Sequence, residues 1–159
     1  MLARILLLAL LIIGSVSLLR AAEPHDWEYL EGNWTFQSSN GYSADIEYKS
    51  VAGGVAAVGK WTEEGCGETI ETLGWRPDRK ALVSTAFGTG EKFWQYEYTE
   101  VSENMCRGNA VFVDPNGTVI EGKVSLKREG PDLVSGQLVG STKNGQQVKI
   151  SVTFTRKRS

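Results

Sequence analysis

Beyond residue 22 the chain alternates apolar and polar side chains with a period of two. In 42–48, Tyr42, Ala44, Ile46 and Tyr48 fall on one face, and Ser43, Asp45 and Glu47 on the other. In 118–128, Ile120, Val124 and Leu126 oppose Glu121, Lys123, Ser125 and Lys127. In 148–155, Val148, Ile150, Val152 and Phe154 oppose Lys149, Ser151, Thr153 and Thr155. One apolar face and one wet face is the pattern of antiparallel strands around a core. Segments 55–62, 81–87 and 133–142 alternate less cleanly. No segment has the 3.6-residue period of a long amphipathic helix; Asp26 to Leu30 could supply one short helical turn.

Turn signals punctuate the pattern: Asn40-Gly41, Gly53-Gly54, Gly65-Cys66-Gly67, Pro77-Asp78, Gly88-Thr89-Gly90, Asn104, Asp114-Pro115-Asn116-Gly117, Gly130-Pro131-Asp132 and Asn144-Gly145. Asn-Gly pairs suit the left-handed dihedrals of tight hairpins. Nine turns separate ten short segments, which predicts an all-β, antiparallel up-and-down meander. Ten hairpin-linked strands either close into a barrel or leave two bare edges. Closure with an even strand count would make the start of the first strand and the end of the last hydrogen-bonded neighbours.

Composition separates residues 1–22 from the rest. This stretch holds eight Leu; residues 23–159 hold six, against 13 Val and 11 Thr, and carry every aromatic residue. Arg4 gives a positive start, Ile5 to Leu19 is a mostly apolar run, and Ala21 and Ala22 are small. The run suits a signal-peptide core and falls short of the roughly 20 residues a spanning helix needs. A cleaved signal over 1–22 and a single β-barrel domain over 23–159 are expected, with a secreted or periplasmic location; an uncleaved N-terminal anchor is the alternative. The leader carries Arg4 and Arg20 and no acid, so its loss moves the net charge from −2 to −4. A mildly acidic domain is a poor nucleic-acid partner, and no membrane span is expected once the signal is gone.

The two ends of the meander carry a pair of motifs. The first strand opens Leu30-Glu31-Gly32-Asn33-Trp34 and the last ends Phe154-Thr155-Arg156. Gly-x-Trp on the first strand after a short helical turn resembles the lipocalin and calycin superfamily. The resemblance implies that a basic residue near the end of the last strand packs across the Trp and closes the barrel. Gly32, Trp34 and Arg156 would fill those structural roles, and a guanidinium over an indole is favourable by roughly 0.5–2 kcal/mol. Residues 27–157 also look like uncharacterised secreted bacterial lipocalin-like domains, through Gly74-Trp75-Arg76-Pro77-Asp78 and Phe154-Thr155-Arg156-Lys157. The lipocalin Thr-Asp-Tyr motif is absent. Ten strands match the fatty-acid-binding branch in number, but only Ser38-Ser39-Asn40-Gly41 joins the first two strands, where that branch carries a helical lid.

The sequence offers little chemistry. Cys66 and Cys106 form no Cys-x-x-Cys pair, and two cysteines in an exported protein suggest one disulfide. The meander opposes it, because it puts them at opposite barrel ends while bridged Cα atoms lie within about 7 Å. Either no bridge forms, the strand parse slips between them, or Cys106 sits further along its strand. His25, beside the leader, reads as solvated linker. No Gly-x-Ser-x-Gly elbow occurs, and no cofactor or metal is expected. The acidic residues Glu63, Glu64, Glu68 and Glu71 read as a solvated rim.

Aromatic residues are the more informative group. Trp94, Tyr96 and Tyr98 share one face of the sixth segment, with Phe93 opposite. If that face points inward, it joins Phe36, Tyr48 and Phe112 around a cavity with hydroxyl handles. The expected function is an exported module binding a small apolar or amphipathic ligand. The alternative is a protein or envelope interaction module whose barrel is filled by its own side chains. An enzyme ranks third, for want of a catalytic constellation.

Overall fold

The computed structural model describes residues 27–63, 65 and 67–158. The expected leader, His25, Glu64 and Cys66 lie outside these residues. A 3-10 turn, Glu28–Leu30, precedes ten antiparallel strands. They are β1 (Gly32–Ser38), β2 (Ser43–Val51), β3 (Ala56–Glu63), β4 (Glu68–Arg76), β5 (Ala81–Gly88), β6 (Lys92–Ser102), β7 (Met105–Val113), β8 (Val119–Gly130), β9 (Leu133–Thr142) and β10 (Gln147–Arg156). Each strand pairs with its sequence neighbours, and β1 pairs with β10, so the meander closes into a barrel. Closure leaves no unpaired edge. The register sets Trp34 opposite Ile46 on one side and Arg156 on the other.

The alternation read from the sequence is the burial pattern of the strands. Ala44, Ile46 and Tyr48 are buried on β2, Ile120 and Val124 on β8, and Phe154 on β10. The irregularity of segment 81–87 has a physical explanation, which the neighbouring β4 shares. On β4 the inward residues are Thr69, Glu71 and Leu73, while Ile70 points outward and is 46% exposed. On β5 the inward residues are Leu82, Ser84 and Ala86, and Phe87 is outward at 68% exposure. Polar residues inside and apolar residues outside blur the pattern there.

A register shift between Tyr98 and Glu100 interrupts β6. Trp94 and Tyr98 are buried before it and Val101 after it, so the odd spacing is absorbed by the bulge.

Candidate functional site: the barrel interior

One barrel end is closed by the segment before β1. Trp27 and Leu30 are buried under the strands, and the Trp34 indole N–H donates to the Leu30 carbonyl at 2.7 Å. Trp34 is fully buried and the Arg156 guanidinium lies 4.2 Å from its ring centre. The guanidinium also ties three backbone segments together. It donates to the carbonyls of Glu31 at 2.7 Å, Tyr29 at 2.5 Å and Pro131 at 3.2 Å. A rigid fork of donors suits this task and an ammonium does not. Gly32 makes room for it: its φ is +114°, and a Cβ there would sit 2.8 Å from an Arg156 nitrogen. Beyond Arg156, Lys157 pairs with Asp45 at 2.7 Å and Arg158 stays exposed.

Midway along the barrel Glu71 is buried, at 5% exposure. Tyr48 Oη donates to its Oε2 at 2.6 Å and Trp61 Nε1 donates to the same oxygen at 3.0 Å. Ser84 Oγ donates to Oε1, with Trp94 Nε1 at 3.4 Å from it. The donors come from β2, β3, β5 and β6, on either side of β4. A carboxylate offers about four acceptor positions, so this set matches its capacity. Burial first, and then the Glu71 charge, hold the Tyr48 hydroxyl well above the ordinary tyrosine range, which keeps it a donor.

A second polar group lies nearer the other end. Lys92 Nζ meets Glu63 Oε1 at 2.6 Å, with side chains only 7% and 14% exposed. Thr69 Oγ1 donates to the same Glu63 oxygen at 2.9 Å, and Lys92 stands 4.4 Å from the centre of the Tyr42 ring. Burial pushes the Glu63 carboxyl up, but the hydrogen bonds from Lys92 and Thr69 and the Lys92 charge outweigh it and hold it below the usual range. The solvated-rim reading therefore holds for Glu68, which is exposed and paired with Lys60 at 2.8 Å. It fails for Glu63 and Glu71, because their strand parity turns them inward, where specific donors compensate burial.

Both groups line a cavity of about 370 Å³ inside the barrel. Trp27, Tyr29 and Leu30 line its closed end; Ser38, Asn40, Tyr42, Asp114 and Pro115 line the end formed by the β1–β2 and β7–β8 turns. Its wall is aromatic. Phe36, Trp61 and Phe154 pack edge to face at 5.0–6.1 Å, Trp61 meets Trp94 at 5.1 Å, and Trp94 stacks on Tyr96 at 6.3 Å. Burial raises the hydroxyl pKa of Tyr96 and Tyr98, so both remain protonated.

The structure places Phe36, Tyr48, Trp94, Tyr96, Tyr98 and Phe112 around this one cavity. Sequence reasoning missed Trp61, Glu63, Glu71 and Lys92, which line it too. Shared parity with Ala57 could have marked Trp61, and shared parity with Leu73 could have marked Glu71. Cys106 is buried, lines the closed end and neighbours Tyr29. Among the described residues no three His, Cys, Asp or Glu side chains are grouped to hold a metal, and no helix is long and apolar enough to cross a membrane.

The fold and interior define a closed, ten-stranded antiparallel β-barrel with an aromatic cavity. No family model matches the chain, and no curated protein matches it. Among solved structures it is similar to a de novo designed fluorescence-activating β-barrel, at 15% identity and a TM-score of 0.43, over 84% of this chain and 98% of that one. It is also similar to a redesigned β-barrel at 11% identity and a TM-score of 0.38, over 84% of this chain and 96% of that one. A third, a redesigned barrel bound to DFHBI, has 10% identity and a TM-score of 0.36, over 84% of this chain and all of that one.

Proposed function

We propose that the protein is an exported, lipocalin-like module that takes a small apolar or amphipathic molecule into its barrel. The observation that carries this reading is the 370 Å³ aromatic cavity. Its size falls within the roughly 300–1,000 Å³ of small-molecule sites. A mostly apolar wall with a few convergent polar groups is the composition such sites use to combine affinity with orientation. The Trp34–Arg156 closure and the helical turn before β1 support the lipocalin-like assignment; the composition of residues 1–22 supports export. Native mass spectrometry of protein purified from its own source tests the binding role. A bound adduct of small-molecule mass is expected, and its consistent absence together with failure to take up added apolar ligands would refute the reading.

The interaction-module alternative has one observation of its own. Ile70, Phe87, Phe93 and Val113 stand in register across β4 to β7 on the outer face. The Phe87 and Phe93 rings meet at 5.2 Å. Exposed apolar rows of this kind mark contact surfaces. Loss of a co-purifying protein partner on Phe87→Ser substitution, with the cavity empty throughout, would favour this second role.

A further inference from the structure

The chemistry of the cavity is more specific than its apolar area suggests, and it rests on the binding role proposed above. The charged groups that line it are Glu71, the Glu63–Lys92 pair and Asp114. Lys92 is committed to Glu63 at 2.6 Å. Asp114 caps its own turn, accepting from the backbone N–H groups of Asn116 and Thr118. Glu71 differs from both. It is buried in mid-barrel, its partners Tyr48, Trp61, Ser84 and Trp94 are all neutral, and among the described residues no Lys or Arg forms an ion pair with it. Neutral donors delocalise a carboxylate charge without cancelling it. The carboxyl group is thus met by neutral donors alone, in surroundings of low dielectric, where opposite charges attract far more strongly than in water.

The surrounding surface has the same sign. Indole and phenol rings present electron-rich faces that attract cations, most strongly when the cation is desolvated. Trp61, Trp94 and Tyr48 reach Glu71 through an N–H or O–H group, and their rings line the cavity together with Tyr96. An apolar molecule of either charge type could use the wall, but an anion would also meet the Glu71 field, and a neutral molecule would leave that field unanswered.

We infer that the cavity selects an organic cation: an amine or quaternary ammonium whose charged head lies near Glu71, among the aromatic rings, and whose apolar body fills the rest of the cavity. The Tyr48, Trp61, Ser84 and Trp94 contacts fix the carboxylate in place and occupy its acceptor positions, so the head is drawn by charge and not by a direct hydrogen bond to Glu71.

Three molecules of one shape and different charge test this: phenylbutylamine, phenylbutanol and phenylbutyrate, titrated by calorimetry into the whole mature protein at neutral pH. The amine is expected to bind at least about tenfold more tightly than the alcohol, a difference of about 1.4 kcal/mol, with the acid weakest. Glu71→Gln keeps the size of the side chain and removes its charge, and should erase the preference of amine over alcohol. The wild-type series stands by itself if that variant proves unstable. Equal binding of amine and alcohol, or tighter binding of the acid, overturns the cation assignment and leaves the binding role intact. Failure of all three, together with an empty barrel in native mass spectrometry, overturns the binding role itself.

Discussion

Tyr48 on β2 reaches across β3 to donate its hydroxyl proton to Glu71 on β4 at 2.6 Å. Gly59, paired with both residues, lies beneath the crossing ring. A Cβ at Gly59 would stand 2.5 Å from Tyr48 Cε1 and 3.3 Å from Glu71 Oε2. The glycine is required for space, since its φ is not positive. Gly59→Ala should destabilise the protein by about 1–3 kcal/mol through overpacking. Tyr48→Phe should cost about 1–3 kcal/mol by leaving Glu71 a donor short. Denaturant unfolding of Gly59→Ala, Tyr48→Ala and the double variant checks the relationship. If Gly59 serves to admit the Tyr48 ring, the double variant is no less stable than Tyr48→Ala alone, and full additivity would refute this.

At the closed end, Trp34→Ala should cost about 3–5 kcal/mol, because a fully buried indole leaves a cavity that rigid strands cannot fill. Arg156→Lys keeps the charge and loses the fork that serves the carbonyls of Glu31, Tyr29 and Pro131. A loss of about 1–3 kcal/mol is expected. Equilibrium urea unfolding measures both, and a change below about 0.5 kcal/mol for the lysine variant, as is usual for surface substitutions, would show that the fork is dispensable.

Acid should weaken the barrel through Glu63. Its folded carboxyl titrates below the ordinary value of 4.5. Its stabilisation is therefore complete above that value and is lost as the pH falls through the lower, folded value. Protonation would also leave Lys92 buried without its counter-ion, which is costly. Comparing wild type with the Glu63→Gln/Lys92→Met double variant isolates the effect. The stability difference should stay flat from neutral pH down to about 5 and shift against the wild type below 4.5; a difference that changes mainly above that value contradicts the assignment.

Filling the cavity should abolish uptake without unfolding the chain. Val124 is buried and lines the cavity wall. Val124→Phe should lower the affinity for phenylbutanol at least about tenfold while the thermal midpoint moves by only a few degrees, since the added ring enters existing space. Unchanged affinity in a folded variant would move the binding site elsewhere.

The export proposal predicts a mature chain beginning at Ala22 or Glu23. Intact-mass measurement on protein from its own source decides it, and a full-length chain retaining Met1 to Leu19 would indicate an anchor instead.

The sequence by itself determined the strands, their up-and-down order and the two ends that meet. These features are local: a period of two fixes which face is buried, and glycine or Asn-Gly turns fix where each strand ends. The pairing of Trp34 with Arg156 was legible through the resemblance to the lipocalin and calycin superfamily, with barrel closure setting the first and last strands side by side. Parity put Trp94, Tyr96 and Tyr98 on one face of β6, and the fold decided that this face points inward. What tertiary structure alone decided is the polar interior. On β4 the local pattern is divided, Ile70 on one parity and Leu73 on the other, and the fold turns Glu71 inward with Leu73 and Ile70 outward. Glu71 is tolerated inside because Tyr48, Trp61, Ser84 and Trp94, separated by 10 to 23 positions from it in the chain, converge on one carboxylate. Lys92 and Glu63, 29 positions apart, compensate each other in the same way. The free energy of burying a charge depends on partners brought from other strands, and no periodicity along one strand encodes them.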